Sequence, residues 1–234
     1  MVGKRNYDQL CGLALSLDVV GERWTLLVLR ELLLGPARFK DILAGLPRLT
    51  PTLLSARLQG LADAGIVRAE PVPHDARGRQ YVLTELGEGL REPVLGLARW
   101  GLGLVTDEDA ERMPAQAGWA RLAVEAMVQG RSLPAEVSEA YTFAVDGSVF
   151  HVDVARGVPS VGDGPAADSA LTIKTDATTF VRVGAGLLTP VSAMLERRLR
   201  AEGSGDAFAR CAAVLGLELV PDAAGPVPSL AATS

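Results

Sequence analysis

The 234-residue sequence predicts an α+β protein in two parts, helices closed by a strand pair first and a small strand-and-helix layer second. Three observations predict it. Leucine stripes at helical spacing run through residues 7–65, whereas period-two apolar alternation dominates residues 141–175. Between the two patterns lies VTDEDAERMPAQAG, residues 105–118, an acidic stretch containing Met113-Pro114 that reads as a linker. Charge divides at the same place: residues 1–104 hold 13 Lys and Arg against 11 Asp and Glu, and residues 105–234 hold 10 against 17. The basic excess belongs to the part suited to phosphate, and the acidic part should stay clear of it.

Leu10, Leu13, Leu17 and Val20 repeat at helical spacing and predict a first helix over residues 7–20, with Cys11 inside it. A small buried thiol is the plain reading of Cys11. Residues 22–34, including Trp24, Leu27, Val28 and Leu32, are apolar nearly all round and predict a core helix that stops at Gly35. Arg38 and Lys40 then open a third helix, where their charges can clamp a phosphate backbone; a solvated helix end would look the same. Thr50 is a good N-cap, Pro51 needs no backbone donor at the first helical position, and Gly65 supplies the stop, so a helix spans residues 51–64. Leu54, Leu58 and Leu61 share its inner face; Thr52, Ser55, Ala56, Gln59 and Asp63 share the outer one. A short helix, a turn and a longer helix can lay the second helix into a DNA major groove, although any amphipathic hairpin shows such a stripe.

The flanks favour the groove reading. Residues 66–72 and 79–83 predict two strands around the tip PHDARG, where His74, Arg77 and Arg79 cluster, and an Arg there can enter a minor groove. This is a winged helix-turn-helix. Thr84 can cap a long helix to about Leu104, with Leu86, Leu90, Val94, Leu97, Gly101 and Leu104 as its apolar stripe and Pro93 as its kink.

Ordered blocks now resemble a known family. Cys11, residues 17–32 (LDVVGERWTLLVLREL), Gly35 to Phe39, residues 49–61 (LTPTLLSARLQGL), residues 64–67 (AGIV), residues 81–87 (YVLTELG) and Arg99-Trp100-Gly101 resemble HxlR-type bacterial winged-helix transcription regulators over about residues 11–101. The resemblance implies a homodimer built by the first helix and the long helix. Two-fold symmetry would then set two reading helices about 34 Å apart on an inverted-repeat operator. It also implies a sharper role for Cys11, since some members sense oxidants or electrophiles near this place; such reactivity requires exposure and a lowered pKa. The DNA-contact candidates are Arg38, Lys40, Thr50, Thr52, Ser55, Ala56, Arg57, Gln59, Arg77 and Arg79. Thr52, Ser55 and Gln59 can hydrogen-bond base edges and Ala56 can touch a thymine methyl, while the arginines and Lys40 serve phosphates or a minor groove.

In the second part, a helix from Trp119 to about Gly130 precedes strands over residues 141–145, 149–155 and 170–175, the first two joined by Asp146-Gly147. Asp176 can cap a helix to about Leu188, residues 197–202 read as a further strand, and Asp206 can cap a closing helix. The order of these elements, with residues 171–173 (LTI), the Gly184 to Gly186 turn and residues 203–206 (GSGD), resembles the sterol-carrier-protein-like domain over residues 119–217. That resemblance implies a small α/β sandwich around an apolar tunnel. On strand parity Phe143, Phe150, Val152 and Ile173 share the inner side, with Phe180, Leu187 and Met194 able to cover it; these seven are the candidate ligand contacts, and a filled core would show the same periodicity. His151 and Asp153 fall on the opposite face. Residues 218–234, rich in Ala and Pro, read as a disordered tail.

Other chemistry has little material. His74 and His151, in different parts, leave a His-dependent triad little material, no GxSxG, GxxxxGK[ST] or HExxH is present, and the sequence predicts no enzyme, no cofactor and no metal site. Cys11 and Cys211, about two hundred residues apart with no CxxC pair, fit a reducing cytosol. Lys4 and Arg5 precede an apolar run bracketed by Asp8 and Asp18, which argues against a secretory signal, and no run of eighteen apolar residues exists to span a bilayer. The expected protein is a cytoplasmic DNA-binding homodimer modulated by an apolar ligand, with no membrane partner. A redox regulator working through Cys11 and a lipid-binding or scaffold protein without specific DNA binding are the alternatives.

Overall fold

The computed structural model describes residues 6–219, apart from the side chains of Ala76 and Arg77. Lys4, Arg5 and the tail from Val220 lie outside the described residues. Two compact units meet within one helix, between Gly96 and Leu97.

The first unit opens with α1 (Gly12–Val20) and α2 (Thr25–Leu33). Both start later than the apolar repeat suggests. Cys11 takes an extended backbone as the N-cap of α1, and Trp24 enters α2 with a left-handed φ of 80°, so the turn Gly21 to Trp24 is not helical. Nor is α2 buried all round: Val28, Leu29, Leu32 and Leu33 are core, but Leu27 is exposed. β1 (Ala37–Arg38) leads into α3 (Phe39–Gly45), and α4 (Pro51–Asp63) follows. Thr50 Oγ1 accepts the Leu53 N–H at 3.3 Å, which caps α4 as its sequence requires. At the other end Gly65 turns left-handed, its N–H bonds the Ala62 carbonyl, and the Ile66 N–H reaches back to the Leu61 carbonyl. This double closure is the Schellman stop that a glycine after the helix permits.

β2 (Val67–Val72) and β3 (Asp75–Leu83) form the hairpin, with β1 added on the far side of β3 to give the antiparallel order β1-β3-β2. β3 starts four residues earlier than expected, so the tip shrinks to Pro73-His74. Arg79 consequently sits opposite Pro71 within the ladder and not at the tip. α5 (Glu85–Glu88) and α6 (Arg91–Leu102) replace the single long helix. The interruption at Gly89-Leu90 lies just before Pro93, which lacks the N–H that would bond the Gly89 carbonyl and whose ring crowds that carbonyl.

The second unit carries α7 (Asp107–Arg112) inside the stretch expected to be a linker, because Thr106 and Asp109 form a reciprocal capping box. A 3₁₀ turn at Ala117–Trp119 leads into α8 (Ala120–Val128). Then come β4 (Glu139–Val145), β5 (Ser148–Ala155), β6 (Val158–Asp163) and β7 (Leu171–Thr175). α9 (Ala177–Gly184), α10 (Pro190–Leu195), β8 (Leu199–Gly203) and α11 (Gly205–Leu215) complete it. The sheet order is β6-β5-β4-β7-β8, with β4 and β7 parallel and every other pair antiparallel. Tyr141, Phe143 and Val145 of β4 and Phe150, Val152 and Val154 of β5 bury one face, with Val124 of α8 and Val214 of α11 in the same core. Ser204, not Asp206, caps α11 by accepting the Ala207 N–H, leaving Asp206 in the first turn where its charge meets the positive helix end. Among the described residues no helix is long and apolar enough to cross a membrane.

Candidate nucleic-acid interface

The interface candidate is the outer face of α4 with the adjoining hairpin. Burial of Leu54, Leu58 and Leu61 to 2 % exposure or less fixes the rotation of the helix, and Thr52, Ser55, Ala56 and Gln59 are left exposed on its other side. This surface is short-chained and uncharged apart from Asp63, whose Oδ1 accepts the Gln59 Nε2 at 2.7 Å. That i,i+4 bond pre-orients the amide and leaves its carbonyl and second N–H for an edge. Thr50 is exposed, with its hydroxyl oxygen engaged in capping.

Arg57 departs from this group. Its Nε donates to the Arg23 carbonyl and its Nη2 to Glu22 Oε2, both at 3.0 Å, and the side chain is mostly buried. It ties α4 to the turn before α2, and in this arrangement no basic side chain is free on the exposed face of α4. Positive charge comes from the flanks. Arg38, which is the N-cap of α3 and part of β1, pairs with Asp75 Oδ2 at 3.0 Å, both partly exposed. Lys40 and Arg79 are exposed. Arg77 lies on β3, but its side chain is outside the described residues. His74 occupies the tip with φ 63°. Arg48, absent from the expected contacts, is also exposed, two residues before the Thr50 cap; a cation beside an N-cap is the signal the sequence offers for it.

Cys11 is exposed, not buried, because α1 begins one residue later and leaves it at the open helix end. Backbone hydrogen bonds from Ala14 and then Leu13 hold its thiol below the ordinary value. α1 also exposes Leu13 and Leu15, and α6 exposes Leu97 and Trp100.

Of the seven candidate ligand contacts, Phe143, Ile173 and Phe180 line a common apolar space, joined by Val183, Pro190, Leu199 and Phe208 and by Cys211 and Leu215 of α11. The cavity is only about 40 Å³. Phe150 and Val152 are sealed core, Phe150 stacking on Phe143 at 5.3 Å and meeting Phe180 edge-on at 6.5 Å. Leu187 is half-buried outside the lining and Met194 is exposed at the surface. The α11 contribution was missed because its lining residues repeat at ordinary core spacing. His151 does stay on the far face, with Nε2 3.2 Å from Asp153 Oδ2 and Nδ1 2.9 Å from the Gly164 carbonyl oxygen.

Known proteins share the first unit. The family described as HxlR-like helix-turn-helix matches residues 19–109. The uncharacterized HTH-type transcriptional regulator Mb3122 of Mycobacterium bovis is 42 % identical over 88 residues, 37 % of this chain and 54 % of its own length. The chain thus spans about half the length of such mycobacterial relatives. YvaP of Bacillus subtilis, also an uncharacterized HTH-type transcriptional regulator, is 36 % identical over 36 % of this chain and 79 % of its own. Among solved structures, the redox regulator HypR in its reduced form is 30 % identical, covers 39 % of this chain and 90 % of its own, and has a TM-score of 0.37. The match to YvaP extends over more than two thirds of that protein and the family match covers the winged-helix segment described above, so this chain belongs to the HxlR-like helix-turn-helix family.

Proposed function

We propose that the protein is a homodimeric transcription regulator that binds an inverted-repeat operator through α4 and the β2–β3 wing. The observation that carries this reading is the outer face of α4, where Thr52, Ser55, Ala56 and Gln59 stand exposed over a helix locked by buried leucines. Relatives of the family are named as transcriptional regulators, not enzymes. The exposed apolar side chains of α1 and α6 support dimerisation through those helices.

Fluorescence anisotropy on the DNA upstream of the gene tests it. Gln59→Ala should lose about 1–3 kcal/mol of discrimination at one base pair, whereas Arg38→Ala should weaken all sequences alike and reduce the salt slope by about one. If both variants bind as the parent does, another surface meets the DNA. If no selective site emerges from unbiased selection, the lipid-binding or scaffold alternative takes over.

Cys11 favours a second reading, redox or electrophile sensing, through its exposure and the backbone N–H groups that stabilise its thiolate. Cys11→Ser should then abolish a response of operator binding to diamide; an unchanged response would dismiss the thiol.

The second unit supports a sterol-carrier-protein-like reading in that a five-stranded sheet and helices enclose a wholly apolar space. A cavity of about 40 Å³ is far below the roughly 300–1,000 Å³ of small-molecule sites, so a lipid-like ligand would require α9, α10 or α11 to move aside.

A further inference from the structure

A larger space lies elsewhere in the second unit. The end of α6, helix α7 and one face of α9 enclose a groove of about 400 Å³, ten times the apolar cavity and within the roughly 300–1,000 Å³ typical of small-molecule sites. Its walls include Leu104, Val105, Met113, Trp119 and Val181, a set of large apolar surfaces with an aromatic ring. A carboxylate interrupts them. Asp109 lines the groove and uses Oδ2 to accept from the backbone N–H and hydroxyl of Thr106, while Oδ1 accepts no hydrogen bond among the described residues.

The charges around it fix the sign. Asp107 pairs with Arg182 and Glu108 with Arg112, so these neutralise one another. Among the described residues Asp109 remains as the one charged residue of the lining and gives the groove wall its negative charge. Arg182 stays committed to Asp107 through Nη2, although its buried Nε finds no acceptor. An apolar groove with an aromatic ring and a half-satisfied carboxylate suits a cation whose charge is spread over hydrophobic groups, by burial, charge attraction and cation–π contact together.

We infer that this groove binds lipophilic organic cations and is the effector site of the regulator proposed above. The inference rests on that reading for its regulatory part only. Gly101 of α6 helps to line the groove, and α6 begins in the first unit at Arg91, so an occupant touches the helix that is continuous with the DNA-binding unit. A shift in operator affinity then requires the cation to bind the DNA-bound and free states unequally.

Two ions of the same shape and opposite charge test the site directly. Isothermal titration of the full chain without DNA should show tetraphenylphosphonium binding and tetraphenylborate binding much more weakly. Asp109→Asn keeps a side-chain acceptor for Thr106 and should lower tetraphenylphosphonium affinity about fivefold, the scale of one partly exposed charge contact. Ala110→Trp, placed in the groove wall, should abolish binding while circular dichroism and melting stay as in the parent. Equal binding of both ions, or tetraphenylphosphonium affinity indifferent to Ala110→Trp, would overturn the site. Operator anisotropy with and without tetraphenylphosphonium is read separately. Selective DNA binding that ignores the bound cation removes the effector role while leaving the DNA reading, whereas loss of any selective DNA binding removes that reading and leaves the cation site.

Discussion

Gly87→Ala is expected to destabilise the first unit by about 3 kcal/mol and to remove operator binding with it. A Cβ at Gly87 would lie 2.2 Å from the Ile66 carbonyl oxygen and 3.1 Å from a Leu83 methyl. Neither neighbour can retreat easily. Ile66 O already accepts the Thr84 N–H at 2.9 Å, and the Thr84 hydroxyl donates to Gly65 O at 2.6 Å while also capping α5. The added methyl therefore prises α5 from the turn that terminates α4, and α4 loses the support of its own stop. Hydrogen exchange resolved by segment checks this: α4 and β3 should lose protection while β4 and β7 keep theirs. An unchanged unfolding midpoint would show that the close approach relaxes at no consequence.

Phe150→Ala should act on the second unit alone, lowering its stability by about 3–5 kcal/mol. The ring is 1 % exposed, stacked against Phe143 and edge-on to Phe180, so the truncation loses burial and two aromatic contacts. It also opens space beside the existing apolar cavity. Benzene should then raise the variant's melting temperature and leave the parent's nearly unchanged, since dry apolar cavities of about 150 Å³ accept it. A loss below about 1 kcal/mol would mean that neighbouring side chains collapse into the gap.

Legibility followed local chemistry. Thr50-Pro51 and Gly65 announced both ends of α4, and a correct start fixed which residues its leucines leave outside. The same Thr-Pro signal stands at Thr189-Pro190, where Thr189 caps α10, yet it was passed over because six residues are too few to show periodicity. β6 was hidden differently. Pro159 and Gly162 speak against a strand, but β6 lies at the sheet edge, where a missing donor is tolerated, and Arg156-Gly157 supplies the turn with two positive φ angles. Arg57 was misplaced for a third reason: angular position on a helix cannot reveal that Glu22 and the Arg23 carbonyl lie within reach from 35 and 34 residues away. The Asp109 groove was invisible because it joins Leu104 and Val181 across three elements, one of them assigned to a linker.

The placement of the two thiols makes the chain a self-reporting probe of its own opening motions. Cys11 stands in solvent at a helix start, whereas Cys211 is enclosed beneath the sheet, its thiol pushed up by burial and then by the Glu139 carboxylate. A water-soluble alkylating reagent added to native protein should consume the first at once. Modification of the second must wait for a fluctuation that lifts α11, so its pace measures how often that helix departs. Counting adducts by mass against time, with reagent concentrated enough that the rate no longer rises with it, would give the lifetime of the closed second unit without denaturant or mutation.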